Sequence, residues 1–396
     1  MLHIGIPFVV NETWGMTNLV DKPIEVVHLI NSLDVGGAER MLTQLLIHGD
    51  KSRVRHRIIC MLEPGPMADS VSEHAAGIET LGMKRGAPAP EALWRLVRLL
   101  RNSPCDVLQT WLYHADLIGL IAGRLAGIRH IAWNTRCSST GNERIRPLTT
   151  WIVKLLAYLS AWPDLVIANA EIVRTSHEEM GYRPKRWVHL PNGFDINRFR
   201  PSPERSRAFR ESLGISEDML VIGMVARYQP RKDFDGLLAA FALIMNSKPE
   251  LRLILVGSGT NSQNTLLVEQ VNRYGVGDRV HLLGERSDVE RILPGLDLFV
   301  LASFGEGFPN VVGEAMACGV PCVMTDVGNA AELLGQTGCV VPINDAAALA
   351  RAIENMLAED SFRIQRAAAA RARIEQYYSI ADIARQYEVL YESMVK

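Results

Sequence analysis

No two of the six cysteines form a C-x-x-C pair. Cys60, Cys105, Cys137, Cys318, Cys322 and Cys339 are scattered. The Cys318/Cys322 spacing would put both on one helix face if the helix ran that far, yet no companion His or Cys pair completes a metal site. They read as small buried thiols in a reducing cytoplasm. Residues 1–23 lack a basic segment followed by a long apolar one, so no secretory signal is expected. They read as a loosely structured extension, to which Ile4–Val10 could add an edge strand. The longest apolar run, near Leu148–Trp162, is interrupted by Lys154 and falls short of the roughly 20 residues a membrane span needs. Charge of neither sign is in excess. The formal net charge of -2 gives no global basic field for nucleic acid. There is no dense acidic cluster for a divalent metal and no G-x-G-x-x-G for a nicotinamide cofactor. The expectation is a cytoplasmic protein, without a cofactor or metal requirement and without a nucleic-acid partner.

What is present is an ordinary folded composition, 48% hydrophobic and 22% charged. At 396 residues the chain exceeds what one hydrophobic core organises, so two domains are expected. Buried strands are read at Val26–Ile30, Arg55–Met61, Val107–Thr110, His130–Asn134 and Leu165–Ala168. Helical patterns lie between them at Glu39–His48, Pro90–Arg101 and Asp116–Ala126. This alternation implies a parallel sheet covered on both faces. The pattern restarts with strands Leu220–Val225, Arg252–Val256, Val280–Leu283, Leu298–Leu301 and Cys322–Thr325. Its helices are Phe234–Asn246, Asn264–Tyr274, Val289–Leu293 and Val311–Ala317. The fold class is therefore α/β, with two doubly wound domains in tandem. Pro191, Gly193, Pro201 and Pro203 mark the boundary region. The domains are placed at residues 1–195 and 196–379. The Ala-rich stretch Asp345–Gln376 reads as helical, and a last helix, Ile380–Met394, is expected to pack back on the first domain.

The segment Ser303–Ala315 follows one strand and enters a helix. Open α/β sheets bind ligands at such carboxyl ends of strands. Its glycines allow close backbone approach, and the helix start offers N–H groups to an anion. Glu306 in the loop and Glu314 in the helix could grip two parts of one polyhydroxylated ligand, since carboxylates accept strongly from hydroxyls. Spacing alone leaves open two unrelated surface glutamates. Arg227 and Lys232, after another strand, read by themselves as a solvated basic turn. Leu255-Val256-Gly257-Ser258-Gly259 is a strand-to-loop turn, weak by itself. Gly36-Gly37 opens a helix after the first strand, as a site of close approach or a simple tight turn. His114 follows the strand Val107–Thr110, where a lone histidine is more often structural.

Glu306 through Pro321 resembles the signature E-G-F-x-x-x-x-x-E-A-x-A-x-G-x-P of glycosyltransferase family 4, and every fixed position is met. Gly223–Asp233 resembles the family's G-R-L-x-x-x-K-G element, with Asp233 in place of Gly. Leu255–Gly259 is similar to its V-G-x-G turn, and Pro191–Asp195 to its P-N-G-V-D, with Phe194 in place of Val. Asp326–Glu332 resembles D-x-G-G-x-x-E, with Asn329 in place of Gly. The resemblance implies a GT-B fold, two Rossmann-like domains facing across a cleft, and a retaining glycosyltransferase. Its donor would be a nucleotide-diphosphate sugar and its acceptor a glycan or lipid-linked molecule, in surface polysaccharide synthesis. Arg227 and Lys232 would neutralise the pyrophosphate, and Glu314 would bind the ribose. Glu306 with Gly307, Phe308, Pro309, Asn310 and Val311 would position the donor sugar. Gly257 and the Leu282–Arg286 loop would meet the nucleotide, with Arg286 either shaping the base pocket or lying on the surface. Gly36, Gly37 and His114 would approach the transferred sugar.

Between Asp116 and Asp164 the only acid is Glu143, against Arg124, Arg129, Arg136, Arg144, Arg146 and Lys154. Trp151, Tyr158 and Trp162 interleave with them. Such a stretch fits anionic lipid headgroups at the inner face of a cytoplasmic membrane, or is an ordinary solvated face with core aromatics. Other readings of the whole chain are an epimerase or phosphorylase on the same architecture, or a nucleotide-sugar-binding protein without catalysis.

Overall fold

The computed structural model describes residues 22–84, 90–136 and 147–396. Cys137, Glu143, Arg144, Arg146 and the Ile4–Val10 segment lie outside them. The chain forms two compact units. The described part of the first comprises residues 22–84, 90–136, 147–191 and 383–396, and the second comprises 192–382.

The first unit is built on seven parallel strands. They are β1 (Ile24–Ile30), β2 (Val54–Cys60), β3 (Gly77–Thr80), β4 (Val107–Trp111), β5 (His130–Thr135), β6 (Leu165–Ala168) and β7 (Trp187–His189). Their spatial order is β3-β2-β1-β4-β5-β6-β7. The second unit has six parallel strands, β8 (Leu220–Val225), β9 (Leu251–Val256), β10 (Val280–Leu282), β11 (Leu298–Leu301), β12 (Cys322–Thr325) and β13 (Cys339–Val341). Their order is β10-β9-β8-β11-β12-β13. In both sheets the winding reverses after the first three strands. Each therefore has one topological switch point, between β1 and β4 and between β8 and β11, where adjoining loops diverge and leave a crevice.

The central strands are apolar runs because both faces are covered. Residues of β4, β6, β11 and β12 are all buried. The edge strands β3, β7 and β10 are only half-buried. β3, β7 and β13 carry too little apolar signal to be read from sequence. The expected helix Asp345–Gln376 is two, Ala346–Met356 and Asp360–Tyr377, interrupted at Leu357–Glu359. Cys318 and Cys322 are buried, and burial raises both thiol pKa values, that of Cys318 to about 12. They are inert packing groups.

The first sheet buries an unusual polar chain. Trp111 Nε1 donates to His28 Nδ1 at 3.2 Å, and His28 Nε2 lies 2.9 Å from His56 Nδ1. An acceptor at His28 Nδ1 requires the proton on Nε2, so His28 donates to His56, whose own proton sits on Nε2. Doubly protonating His28 would set two N–H groups against each other. Burial keeps both rings neutral, with His56 lowered to about 4 and His28 also well below its ordinary value. The helix Ile380–Val395 closes over this chain. Tyr391 donates to Gln109 Oε1 at 2.7 Å and meets the His56 ring edge-on, while Glu388 and Glu392 clasp Arg53 at 3.0 and 2.6 Å.

The unfolded chain takes up these histidine protons below about pH 6.5, whereas the folded one resists. Stability is therefore full above pH 6.5 and lost as pH falls toward 4. His56 alone accounts for about 3 kcal/mol at the lower limit. Unfolding midpoints should fall between pH 7 and pH 5, and His56→Gln should flatten that slope. An unchanged slope would contradict the neutral-pair assignment.

Candidate active site

The second switch point gathers the charged residues of the second unit. Arg227 lies two residues past the end of β8, and a short turn, Pro230–Lys232, sets Lys232 after it. Glu306 comes from the loop after the neighbouring β11. Lys232 Nζ lies 2.5 Å from Glu306 Oε1, and Ser303 donates its hydroxyl to the same oxygen at 2.6 Å. Both charged side chains are largely buried, at 16% and 9% exposure, so each is costly to leave without the other. Arg227 is exposed at the same end of β8.

Backbone contacts lock the two loops together. Phe304 donates its N–H to Arg231 O at 2.8 Å, and the Thr325 hydroxyl, at the end of β12, bonds Ser303 O at 2.6 Å. The turn after β12 then presses on the Glu306 loop. Gly328 has a φ of 57°, and a Cβ there would come 2.5 Å from Glu306 O and 2.6 Å from Gly307 O. Asn329, next along, is 3% exposed, and neither atom of its amide has a partner. A buried amide without partners is destabilising unless a ligand supplies them.

The loop enters the helix Asn310–Ala317 through Pro309 at its N-cap, with no capping side chain and no acid in its first turn. That helix start suits an anionic ligand. Gly307 and Val311 flank this entry, and Glu314 lies one turn into the helix. Asn310 accepts from Asn192 Nδ2 at 2.6 Å. The Phe308 ring is buried, 6.1 Å from Phe194 and 6.3 Å from Tyr378. Its side chain anchors the loop, so backbone is what this position offers a ligand. Phe194 also packs against Gly313, where a Cβ would collide with its ring. The larger residue at Phe194 thus has a structural reason.

The Gly257 turn sits beside this site. Gly257 has a φ of 141° and packs against the Ala226 carbonyl, so a side chain there is excluded. Its N–H donates to Gly284 O at 2.8 Å, which joins the turns after β9 and β10. Arg286 is exposed and forks onto Asp288 at 2.8 and 2.7 Å. Its guanidinium is committed to a neighbour on the surface. Asp233-Phe234-Asp235 has the spacing of a D-x-D metal motif, but its carboxylates are engaged. Asp233 accepts from Gly236 N as a helix cap, and Asp235 bonds Tyr274, Gln270 and Arg273.

In the first unit, Gly36-Gly37 and His114 flank the switch point of that sheet, after β1 and β4. Glu39 folds its carboxylate against Gly36, and burial raises its pKa. The start of the helix Gly37–His48 therefore already faces an anionic group. Leu112, which has a φ of 70° that is rare for a branched residue, turns the chain into the helix Tyr113–Ala126. His114 is half-buried on its first turn, and burial lowers its pKa. Two residues on, Asp116 is fully buried, accepts from Thr110 Oγ1 at 2.5 Å, and has its pKa raised well above the ordinary range. Its carboxyl is a structural group. Sequence reasoning missed Ser303, Thr325 and the two roles of Phe194, none of which carries a spacing signal of its own.

Two Rossmann-like parallel-sheet domains in tandem are the architecture of GT-B glycosyltransferases. The Glycosyltransferase Family 4 model matches residues 35–198, and the Glycosyl transferases group 1 model matches residues 219–359. The chain belongs to this family and is a glycosyltransferase. A UDP-Gal:alpha-D-GlcNAc-diphosphoundecaprenol alpha-1,3-galactosyltransferase of Escherichia coli is 25% identical over 332 residues, covering 81% of this chain and 85% of the relative. A GDP-mannose-dependent monoacylated alpha-(1-6)-phosphatidylinositol monomannoside mannosyltransferase of Corynebacterium glutamicum is 28% identical over 312 residues, 74% of this chain and 77% of the relative. The crystal structure of Anabaena HepE in complex with UDP superposes with a TM-score of 0.82 at 26% identity, over 93% of this chain and all of that one.

Substituting Gly328 tests how tightly the loops are fitted. Gly328→Ala adds a Cβ inside contact distance of two carbonyls at a left-handed φ, and should destabilise the protein by roughly 1–3 kcal/mol. Denaturant unfolding reads this directly, and a loss within about 0.5 kcal/mol, the range of neutral surface substitutions, would mean the loops are not in register.

Proposed function

We propose that the second unit binds a uridine or guanosine diphosphate sugar and that the enzyme transfers the sugar, with retention, to a glycan or lipid-linked acceptor. The observation that carries this reading is the convergence at the β8/β11 switch point. Lys232 meets the buried Glu306 carboxylate there, Arg227 lies exposed just past the same strand, and the uncapped helix Asn310–Ala317 starts from the Glu306 loop; the chemistry needs cations, a carboxylate and an open helix start. The bond between the anomeric carbon and the β-phosphate oxygen breaks, and the electron pair leaves with the nucleoside diphosphate. Arg227 and Lys232 stabilise that departing charge. Glu306, held by Lys232 and Ser303, accepts from hydroxyls of the donor sugar, and Glu314 from those of the ribose. The N–H groups at Asn310–Val311 face the phosphates, and the unpartnered Asn329 amide supplies further donor contacts. The acceptor oxygen joins the anomeric carbon, and its proton passes to the departing diphosphate oxygen.

The relatives named above act on UDP-galactose and GDP-mannose, and HepE binds UDP. That record supports a nucleotide-diphosphate donor and leaves the base to experiment. Because the cations are supplied by the chain, we expect no metal requirement. A thermal-shift screen of UDP- and GDP-sugars should identify one stabilising donor. Release of its nucleoside diphosphate should depend on an acceptor and persist in EDTA. Glu306→Gln should lower kcat by about 100-fold or more without shifting the unfolding midpoint downward by more than a few degrees. Near-normal turnover in Glu306→Gln would overturn the assignment, and loss of activity in EDTA would overturn metal independence. The anomeric configuration of the product, read by NMR, tests retention.

A further inference from the structure

The three helices Pro90–Asn102, Tyr113–Ala126 and Pro147–Leu159 pack side by side in the first unit. Their inner faces share one core, through residues such as Leu96, Leu100, Leu120, Val153 and Leu156. Their outer faces are not those of an ordinary solvated layer. Leu148, Trp151, Leu155 and Tyr158 recur at intervals of three and four residues, so they line a single stripe along the helix Pro147–Leu159. Trp162 continues it just past the helix end. All five are exposed, Trp151 at 72% and Tyr158 at 83%. Trp151, Tyr158 and Trp162 are therefore not core aromatics. The adjacent helices add exposed Ile121, Leu125 and Trp94.

Single exposed apolar residues need no explanation, but a contiguous aromatic stripe does. Its surroundings are cationic. Arg95, Arg98, Arg101, Arg124, Arg129 and Lys154 are exposed on or next to these helices. Glu91 is the one exposed acid on the three of them. Lys154 Nζ lies 5.9 Å from the Trp151 ring centre, with its stem along the apolar face and its charge at the rim.

We propose that this face docks on an anionic lipid bilayer, with the helix Pro147–Leu159 lying in the interface plane. Trp and Tyr rings suit the headgroup level, where one edge is apolar and the other wet. The basic rim complements acidic headgroups. A second copy of the chain fits less well. A two-fold contact places one rim against its own image, so like charges would meet all round the apolar patch. Spanning is not involved, because no helix among the described residues is long and apolar enough to cross a membrane. His114 heads the helix that carries Ile121 and Leu125. These residues lie about 10 and 16 Å along it, so docking would hold this part of the first unit close to the lipid surface. The proposal does not depend on which donor or acceptor the enzyme uses.

The test is co-sedimentation of the full chain with vesicles of phosphatidylglycerol and phosphatidylcholine, and with phosphatidylcholine alone. Binding should require the anionic lipid and weaken with added salt. Brominated lipid should quench tryptophan fluorescence. The double variant Trp151→Ser/Tyr158→Ser changes only exposed side chains and should bind at least about tenfold more weakly, with an unchanged unfolding midpoint and unchanged donor-induced thermal shift. Three results would overturn the proposal. One is no binding to anionic vesicles, and another is binding that the double variant leaves intact. The third is a concentration-dependent dimer, seen by light scattering, that the double variant dissolves.

Discussion

The pairing of Lys232 with Glu306 is the interaction on which the proposed donor site depends. Each group is too buried to stand comfortably by itself, and they come from loops after different strands. They meet because β8 and β11 are neighbours at the point where the winding of the sheet reverses. That adjacency is a property of the fold, and the short contact at its end is a property of two side chains. Ser303 donates to the carboxylate, while Thr325 and Gly328 fix the backbone of the loop that carries it. Under the proposed function, a negatively charged donor would enter a site whose carboxylate is already neutralised locally, with Arg227 exposed for the diphosphate. This arrangement spares the ligand the repulsion that an uncompensated Glu306 would exert.

The first unit solves a different problem. Its switch point carries Gly36-Gly37 and His114 on a sheet whose interior holds a neutral histidine pair and a buried guanidinium. Arg136 bonds Asn134 Oδ1 at 2.9 Å and Tyr387 Oη at 2.6 Å, with its charge over the Trp111 ring. Of these partners Tyr387 is on the returning helix Ile380–Val395, which also carries Glu388, Tyr391 and Glu392 with their bonds to Arg53 and Gln109. The last turns of the chain are thus fastened to the first unit by polar contacts that have to be satisfied together. That makes the helix a specific closure and not merely an apolar lid.

Much of this was legible in the residues. Central strands announce themselves because burial on both faces demands unbroken apolar runs, as in Leu298–Leu301 and Cys322–Thr325. Gly77–Thr80 and Trp187–His189 do not, because an edge strand buries only part of each residue and leaves no pattern to read. The Glu306–Glu314 segment was readable as a helix-entry loop, and its long motif match pointed to the family. What could not be read was contact. Lys232 and Glu306 are 74 positions apart, and nothing in either motif says they form one ion pair. Nor does the sequence reveal that Glu39 occupies the Gly36 turn, that Arg286 is held by Asp288, or that the aromatics of Leu148–Trp162 face outward. Those outcomes depend on which side of a helix the sheet covers.

The account's central claim is that Lys232 and Glu306 act as one unit in donor chemistry. A double-mutant cycle on kcat/KM for the donor, using Lys232→Met, Glu306→Gln and the combined variant, tests it most directly. If the two act together, the double variant should be little worse than the worse single one, leaving the losses short of multiplicative by at least about tenfold. Losses that multiply, as for two independent residues, would contradict the account.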